Sequence, residues 1–142
     1  MAFVSITRLR LRSLRFLPQF VVHALSTTAQ IRRAAGFVGG ELLPDRQLTF
    51  WTMTMWHYQA DMRRYIVNGA HLKVMPKLMH WCDEASIVHW DQDARDLPSW
   101  DEADRRMRGE GRPSKVRHPT PHHADLSYRP PRTTRAAPIV AR

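Results

Sequence analysis

Residues 69–86 read GAHLKVMPKLMHWCDEAS and gather two histidines, two methionines, a tryptophan and the chain's only cysteine around a proline. Imidazole, thiolate and thioether are metal ligands, and imidazole is also the side chain that moves protons near neutral pH. The spacing argues against zinc. On a helix His80 and Cys82 point to different sides, and with His71 they leave a fourth ligand missing. His71, Met75, Leu78, Met79 and Cys82 recur at steps of three and four, which predicts an inward helix face on which Met and a lone Cys are ordinary core fillers. Pro76 predicts a kink or break near 72–75. His71 stands apart, because it follows Gly69-Ala70, where an interrupted helix opens space beside its ring for iron binding or proton transfer.

The remaining chemistry-bearing residues are sparser. Trp51 and Trp56 are five residues apart and, on a strand, face opposite ways. Trp56 then lines an internal pocket, and Trp51 packs at a subunit interface. His118, His122 and His123 form a loose cluster too weak for a metal site. Asp83 and Glu84 read as a solvated acidic turn. The sequence has no P-loop, dinucleotide-binding glycine motif, nucleophile elbow or HExxH, and no resident metal ion is expected.

Around these residues the chain divides into alternating elements. FVSITRLRLR (3–12) alternates as a strand, with Arg8, Arg10 and Arg12 on one face where the strand leaves the core. A helix over 17–35 follows, entered at Pro18 and left at Gly36, with Val21, Ala24, Leu25, Thr28 and Ile31 as its buried stripe. Apolar runs 37–43 and 48–56 flank Pro44-Asp45-Arg46-Gln47 as a hairpin. A second helix starts near Tyr58, carries Met62, Tyr65 and Ile66 on one face, breaks at Asn68-Gly69 and resumes. EASIVHW (84–90) is the last strand. LPSWDEADRRMRGE is a short polar helix with Ser99 and Glu102 as a capping box.

The order β-α-β-β-α-β is that of the ferredoxin-like split βαβ plan. It predicts an α+β fold with a four-stranded antiparallel sheet and both helices on one face. Strand 48–56 then poses a problem. Phe50 and Trp56 lie on one face with Thr52 and Thr54, whereas Trp51, Met53 and Met55 lie on the other. An exposed stripe of Trp, Met and Met is an association surface, and a second copy packed sheet to sheet covers it. A homodimer is therefore expected.

Composition sets the outer bounds. The chain has 142 residues, room for one core and an extension: residues 1–92 as the domain, 93–110 as a short helix and 111–142 as a tail. Its formal charge of +9 is concentrated in the tail, where seven Lys/Arg face one Asp. The tail is rich in Pro and His and poor in large apolar side chains, so a flexible solvated extension is expected. It carries no nucleic-acid recognition pattern. No apolar run is long enough to span a membrane, and one cysteine suits a reducing cytoplasm. The first 36 residues are Arg-rich and acid-free, like a transit peptide, but as strand and helix they complete the fold.

A β-α-β-β-α-β domain of this size, with two-faced strands and Trp56 ending the third, resembles the dimeric α/β-barrel superfamily, best represented by the antibiotic biosynthesis monooxygenase-like proteins. The run from FVSITRLRLR through GAH to MPKLMHWCDEAS resembles a bacterial branch of that superfamily, and the arrangement, including Pro98-Ser99-Trp100 after the last strand, is similar to that of spheroidene monooxygenase. The resemblance covers residues 3–100. It implies a homodimeric, cytoplasmic oxidoreductase with a pocket between sheet and helices for a flat hydrophobic substrate or haem. It also implies His71 as base or haem ligand and Trp56 as the pocket tryptophan. The first strand supplies Ser5 and Thr7 toward the pocket where haem-degrading members carry an Asn. The alternative is a non-catalytic homodimeric binding module with a basic tail, since one scaffold hosts many functions.

Overall fold

A computed structural model describes residues 1–142. Strand β1 (Ala2–Leu11) leads through a single 3-10 turn (Leu14–Phe16) into α1 (Leu17–Arg32). The hairpin β2 (Phe37–Asp45) and β3 (Thr49–Trp56) follows, then α2 (Gln59–Ile66), α3 (Gly69–Trp81) and β4 (Cys82–Gln92). Helix α4 (Trp100–Glu110) and two short strands, β5 (Arg112–Pro113) and β6 (Ala137–Val140), complete the chain. The central order β4-β1-β3-β2 is the split βαβ plan.

The sheet has six strands rather than the expected four, in the order β5-β4-β1-β3-β2-β6. Both additions come from beyond residue 110. β5 pairs with Ser86 and Ile87 of β4, and β6 pairs with residues 39–42 of β2. Exposed edge strands present unpaired N–H and C=O groups, and these segments satisfy them. The tail is thus not simply solvated, since Tyr128 and Ile139 are both buried. Within one chain the sheet stays open rather than closing into a barrel.

Register decides which residues share a face. Val4 opposes Met55 and Trp90, Ile6 opposes Met53 and Val88, and Arg8 opposes Trp51. On this face Trp51, Met53 and Met55 are almost fully buried, but a second copy is not what covers them. Trp100, Ala103 and Met107 of α4, together with Tyr128, complete the same apolar cluster. The physical reason given for a homodimer through the sheet face is thereby removed. Trp51 lies edge-on to Trp100 and Tyr128, at ring separations of 6.2 Å and 5.5 Å. Ser99 caps α4 as its sequence predicts, its Oγ accepting from the Glu102 N–H at 3.1 Å.

The polar end of this face holds another correction. Glu84 is 4% exposed, not part of a solvated turn. It accepts from Arg8 Nη1 at 2.7 Å, Arg10 Nη1 at 3.1 Å and Thr120 Oγ1 at 2.7 Å. Burial alone would raise its carboxyl, and these donors bring it below the usual carboxylate value.

Helices α1, α2 and α3 cover the opposite face. Gly36, with φ +83°, turns the chain from α1 into β2 against the Asp61 side chain, where any Cβ would collide. Pro76 is accommodated inside an unbroken α3, whose buried residues are Val74 and Trp81, with Leu78 packed beside them. Met75, expected inside, is 44% exposed.

Candidate functional site

The fold leaves a cavity of about 340 Å³ between the sheet and helices α1, α2 and α3. Its floor is the second face of β1 and β3. Ser5 lies opposite Thr54, and Thr7 opposite Thr52, so four hydroxyl residues from adjacent strands line the cavity together. Leu9, Phe50 and Trp56 flank them, and the walls are mostly apolar side chains of the three helices with Ile139 of β6, interrupted on α1 by His23, Thr27 and Thr28. Val21 and Leu25, read as a buried stripe of α1, line the cavity but remain 43% and 67% exposed. They mark its mouth.

All four residues singled out for the site, His71, Trp56, Ser5 and Thr7, line this one cavity. His71 lies in the first turn of α3. Its Nδ1 sits 3.2 Å from the Ile66 carbonyl, an acceptor only, so Nδ1 carries the proton and donates. The lone pair is left on Nε2. Burial holds the imidazole below its ordinary pKa, with the Ile66 contact partly opposing, and the positive end of the α3 dipole acts in the same direction as burial. His71 is therefore neutral at neutral pH. Its ring packs against Tyr65 at 4.9 Å, and Tyr65 against Trp56 at 5.5 Å.

Trp56 is fully buried. Its Nε1 donates to Thr54 Oγ1 at 3.0 Å, which fixes the indole over the hydroxyl floor. The Tyr65 hydroxyl donates to the Thr27 carbonyl at 3.2 Å, and burial pushes its pKa well above the ordinary value. Tyr65 is thus a neutral wall rather than an acid or base.

Gln30 positions His71, and sequence reading missed it. Its Oε1 accepts from the His71 backbone N–H at 3.0 Å, while Nε2 donates to the carbonyls of Asn68 at 2.8 Å and Tyr65 at 3.2 Å. One amide thereby bridges the end of α2 and the start of α3, satisfying groups that helix termini leave unpaired. Gly69, at φ +58°, lets the chain pass close to it. The signal was slight: a single amide in the last turn of an otherwise amphipathic helix. The Asn68-Gly69 break did mark where the second partner would lie. No group of three or more His, Cys, Asp or Glu side chains is placed to hold a metal ion.

No protein-family model matches the chain, and no curated protein matches it by sequence. Solved structures do match by shape. SnoaB from Streptomyces nogalater, a cofactor-independent oxygenase, aligns over 69% of this chain and 98% of its own, with TM-score 0.54 and 18% identity. The chain has the fold of these proteins. An antibiotic biosynthesis monooxygenase aligns over 66% of this chain and 100% of its own, at TM-score 0.58 and 12% identity. A conserved protein from Methanosarcina mazei Go1 reaches TM-score 0.59 at 11% identity, over 66% of this chain and 94% of its own. The antibiotic biosynthesis monooxygenase-like, ferredoxin-type plan expected from the residues is therefore the fold observed. No helix is long and apolar enough to cross a membrane.

Proposed function

We propose that this chain is a cofactor-independent, monooxygenase-like enzyme acting on a flat, largely apolar molecule with an activated methylene or hydroxyl. The observation that carries the reading is His71. It is a neutral imidazole with Nδ1–H tied to backbone and Nε2 unengaged, lining a cavity of mostly apolar walls over a hydroxyl floor. His71 Nε2 takes a proton from the substrate, and the electron-rich anion left behind reacts with dioxygen. For a methylene, one oxygen atom becomes the product carbonyl and the other leaves as water. Tyr65, backed by Trp56, packs against the flat substrate, and Ser5, Thr7 and Thr52 orient its oxygen atoms. The fold shared with SnoaB, a cofactor-independent oxygenase, supports the assignment.

Haem does not fit the lining. It supplies imidazoles for iron, His71 and His23, but no lysine or arginine to meet the two carboxylates. A second reading, binding without turnover, is favoured by Trp56 and Tyr65, whose polar atoms are already bonded within the frame. Oxygen uptake with a tricyclic aromatic ketone bearing an activated methylene separates the two. The expected result is one dioxygen consumed per substrate, with His71→Ala slower by about 10²–10⁴-fold. Equal rates in both proteins sink the enzyme reading, and saturable binding without uptake supports the binding module. A haemin titration should show no Soret shift that depends on His71.

A further inference from the structure

The other face of the sheet holds a second cavity, of about 320 Å³, whose lining residues are mostly polar. Its lining includes four cations, Arg8, Arg10, Arg46 and Arg129, against two acids, Asp45 and Glu84. Both acids are already engaged. Glu84 takes the donors of Arg8, Arg10 and Thr120. Asp45 accepts from Trp51 Nε1 at 3.1 Å and from the backbone N–H groups of Arg46 and Arg132 at 2.7 Å and 3.0 Å. Arg46 and Arg129 enter none of the chain's ion pairs.

The donors outnumber the acceptors. Nε of Arg8 and Nε of Arg10 are buried with no hydrogen-bond partner, as is Oδ1 of Asp83 beside Arg10, so the polar groups around this cavity are incompletely paired. Arg8 is held rigidly, its guanidinium carbon 4.2 Å from the Tyr128 ring centroid and 6.0 Å from that of Trp51. The arrangement is also costly as it stands. Glu84 offsets Arg8 and Arg10, but the tail brings Arg129 to a cavity that also holds Arg46 of the β2–β3 turn, and the two acids leave the four cations in excess.

We propose that this cavity binds a small molecule through an oxyanion, a phosphate or carboxylate group. Arg10, Arg46 and Arg129 supply planar donor forks, and Arg8 supplies the fixed positive field behind them. The tail segment carrying His122, Ser127 and Arg129 completes the site, and His122 Nδ1 lies 2.9 Å from Ser127 Oγ in its wall. The site is separate from the helix–sheet cavity and does not depend on its chemistry.

The test is calorimetric titration of the full chain, backed by thermal shift, with inorganic phosphate and with citrate at about 0.15 M salt, where loose surface attraction is screened. Saturable one-to-one binding of at least one probe is expected. The combined variant Arg46→Ala/Arg129→Ala, both exposed rim positions, should weaken it at least about tenfold. Arg105→Ala, an exposed cation of α4 outside the cavity, should leave it unchanged. Tighter phosphate indicates a phosphorylated ligand, and tighter citrate a carboxylate; either supports the site. Absence of saturable binding of both probes, or an undiminished affinity in the double variant, overturns it.

Discussion

At the level of single residues, the site depends on one proton on one ring. Desolvation lowers the His71 pKa in the folded chain, so the base form is present throughout the neutral range. Turnover should therefore be flat near pH 7 and fall only in acid, below the ordinary histidine value of about 6.5. Stability follows the same sign. Below that value the unfolded chain binds the proton more readily than the folded one, so stability is lost as pH drops. His89, whose pKa burial also lowers, adds to the slope. Urea midpoints at about pH 7 and about pH 5 measure this loss, and it should be smaller in His71→Ala. An acid limb centred above the ordinary histidine value would instead mean that a partner stabilises the imidazolium, and His71 could not be the neutral base. Tyr65 makes the same point from the other side, since its raised pKa keeps it a phenol across this range.

Among the elements, α4 has the largest consequence. Its residues Trp100, Ala103 and Met107 follow helical spacing that is visible in the sequence, and so is the capping serine. Where that stripe packs is not visible, because nothing local to residues 100–107 refers to Trp51 about fifty residues earlier. The stripe on β3 was legible, but its cover was not. α3 illustrates the reverse. The Asn68-Gly69 break and the inward His71 were legible because they are local. The spacing read His71, Met75, Leu78, Met79 and Cys82 as the inward face, whereas the unbroken helix buries Val74 and Trp81 with Leu78 packed beside them, and Met75 is exposed. If α4 is the cover, Trp100→Ala should cost about 3–5 kcal/mol in urea denaturation, through the lost ring contact with Trp51 and the lost bond from Nε1 to Glu41. The wild type should sediment as a monomer. A loss below about 1 kcal/mol together with a dimer would return the Trp-Met-Met stripe to an intersubunit role.

For the molecule as a whole, the C-terminal segment joins the two sites. Tyr128 stacks on Arg8 beside the cationic cavity, while Ile139 of β6 packs with Phe3, Ile31, Phe37, Trp56 and Met62 and lines the helix–sheet cavity. Composition could not reveal this. A segment rich in Pro and Arg has too little apolar surface to order itself, but the free edge of β2 supplies the backbone partners it lacks. Four residues, Ala137–Val140, are too few to register as a strand by alternation. Removing residues 137–142 should expose the β2 edge and take Ile139 from the wall behind Trp56. Loss of one buried aliphatic side chain costs about 2–5 kcal/mol where its neighbours cannot close in. The truncated chain should then bind its flat ligand less tightly, while His71, held by Gln30 and Ile66, keeps its lowered pKa. Histidine titration by NMR and ligand affinity on the same truncated protein separate these effects. Unchanged affinity would make β6 a mere edge cover, and a His71 pKa restored to its ordinary value would mean that the segment seals the cavity from water.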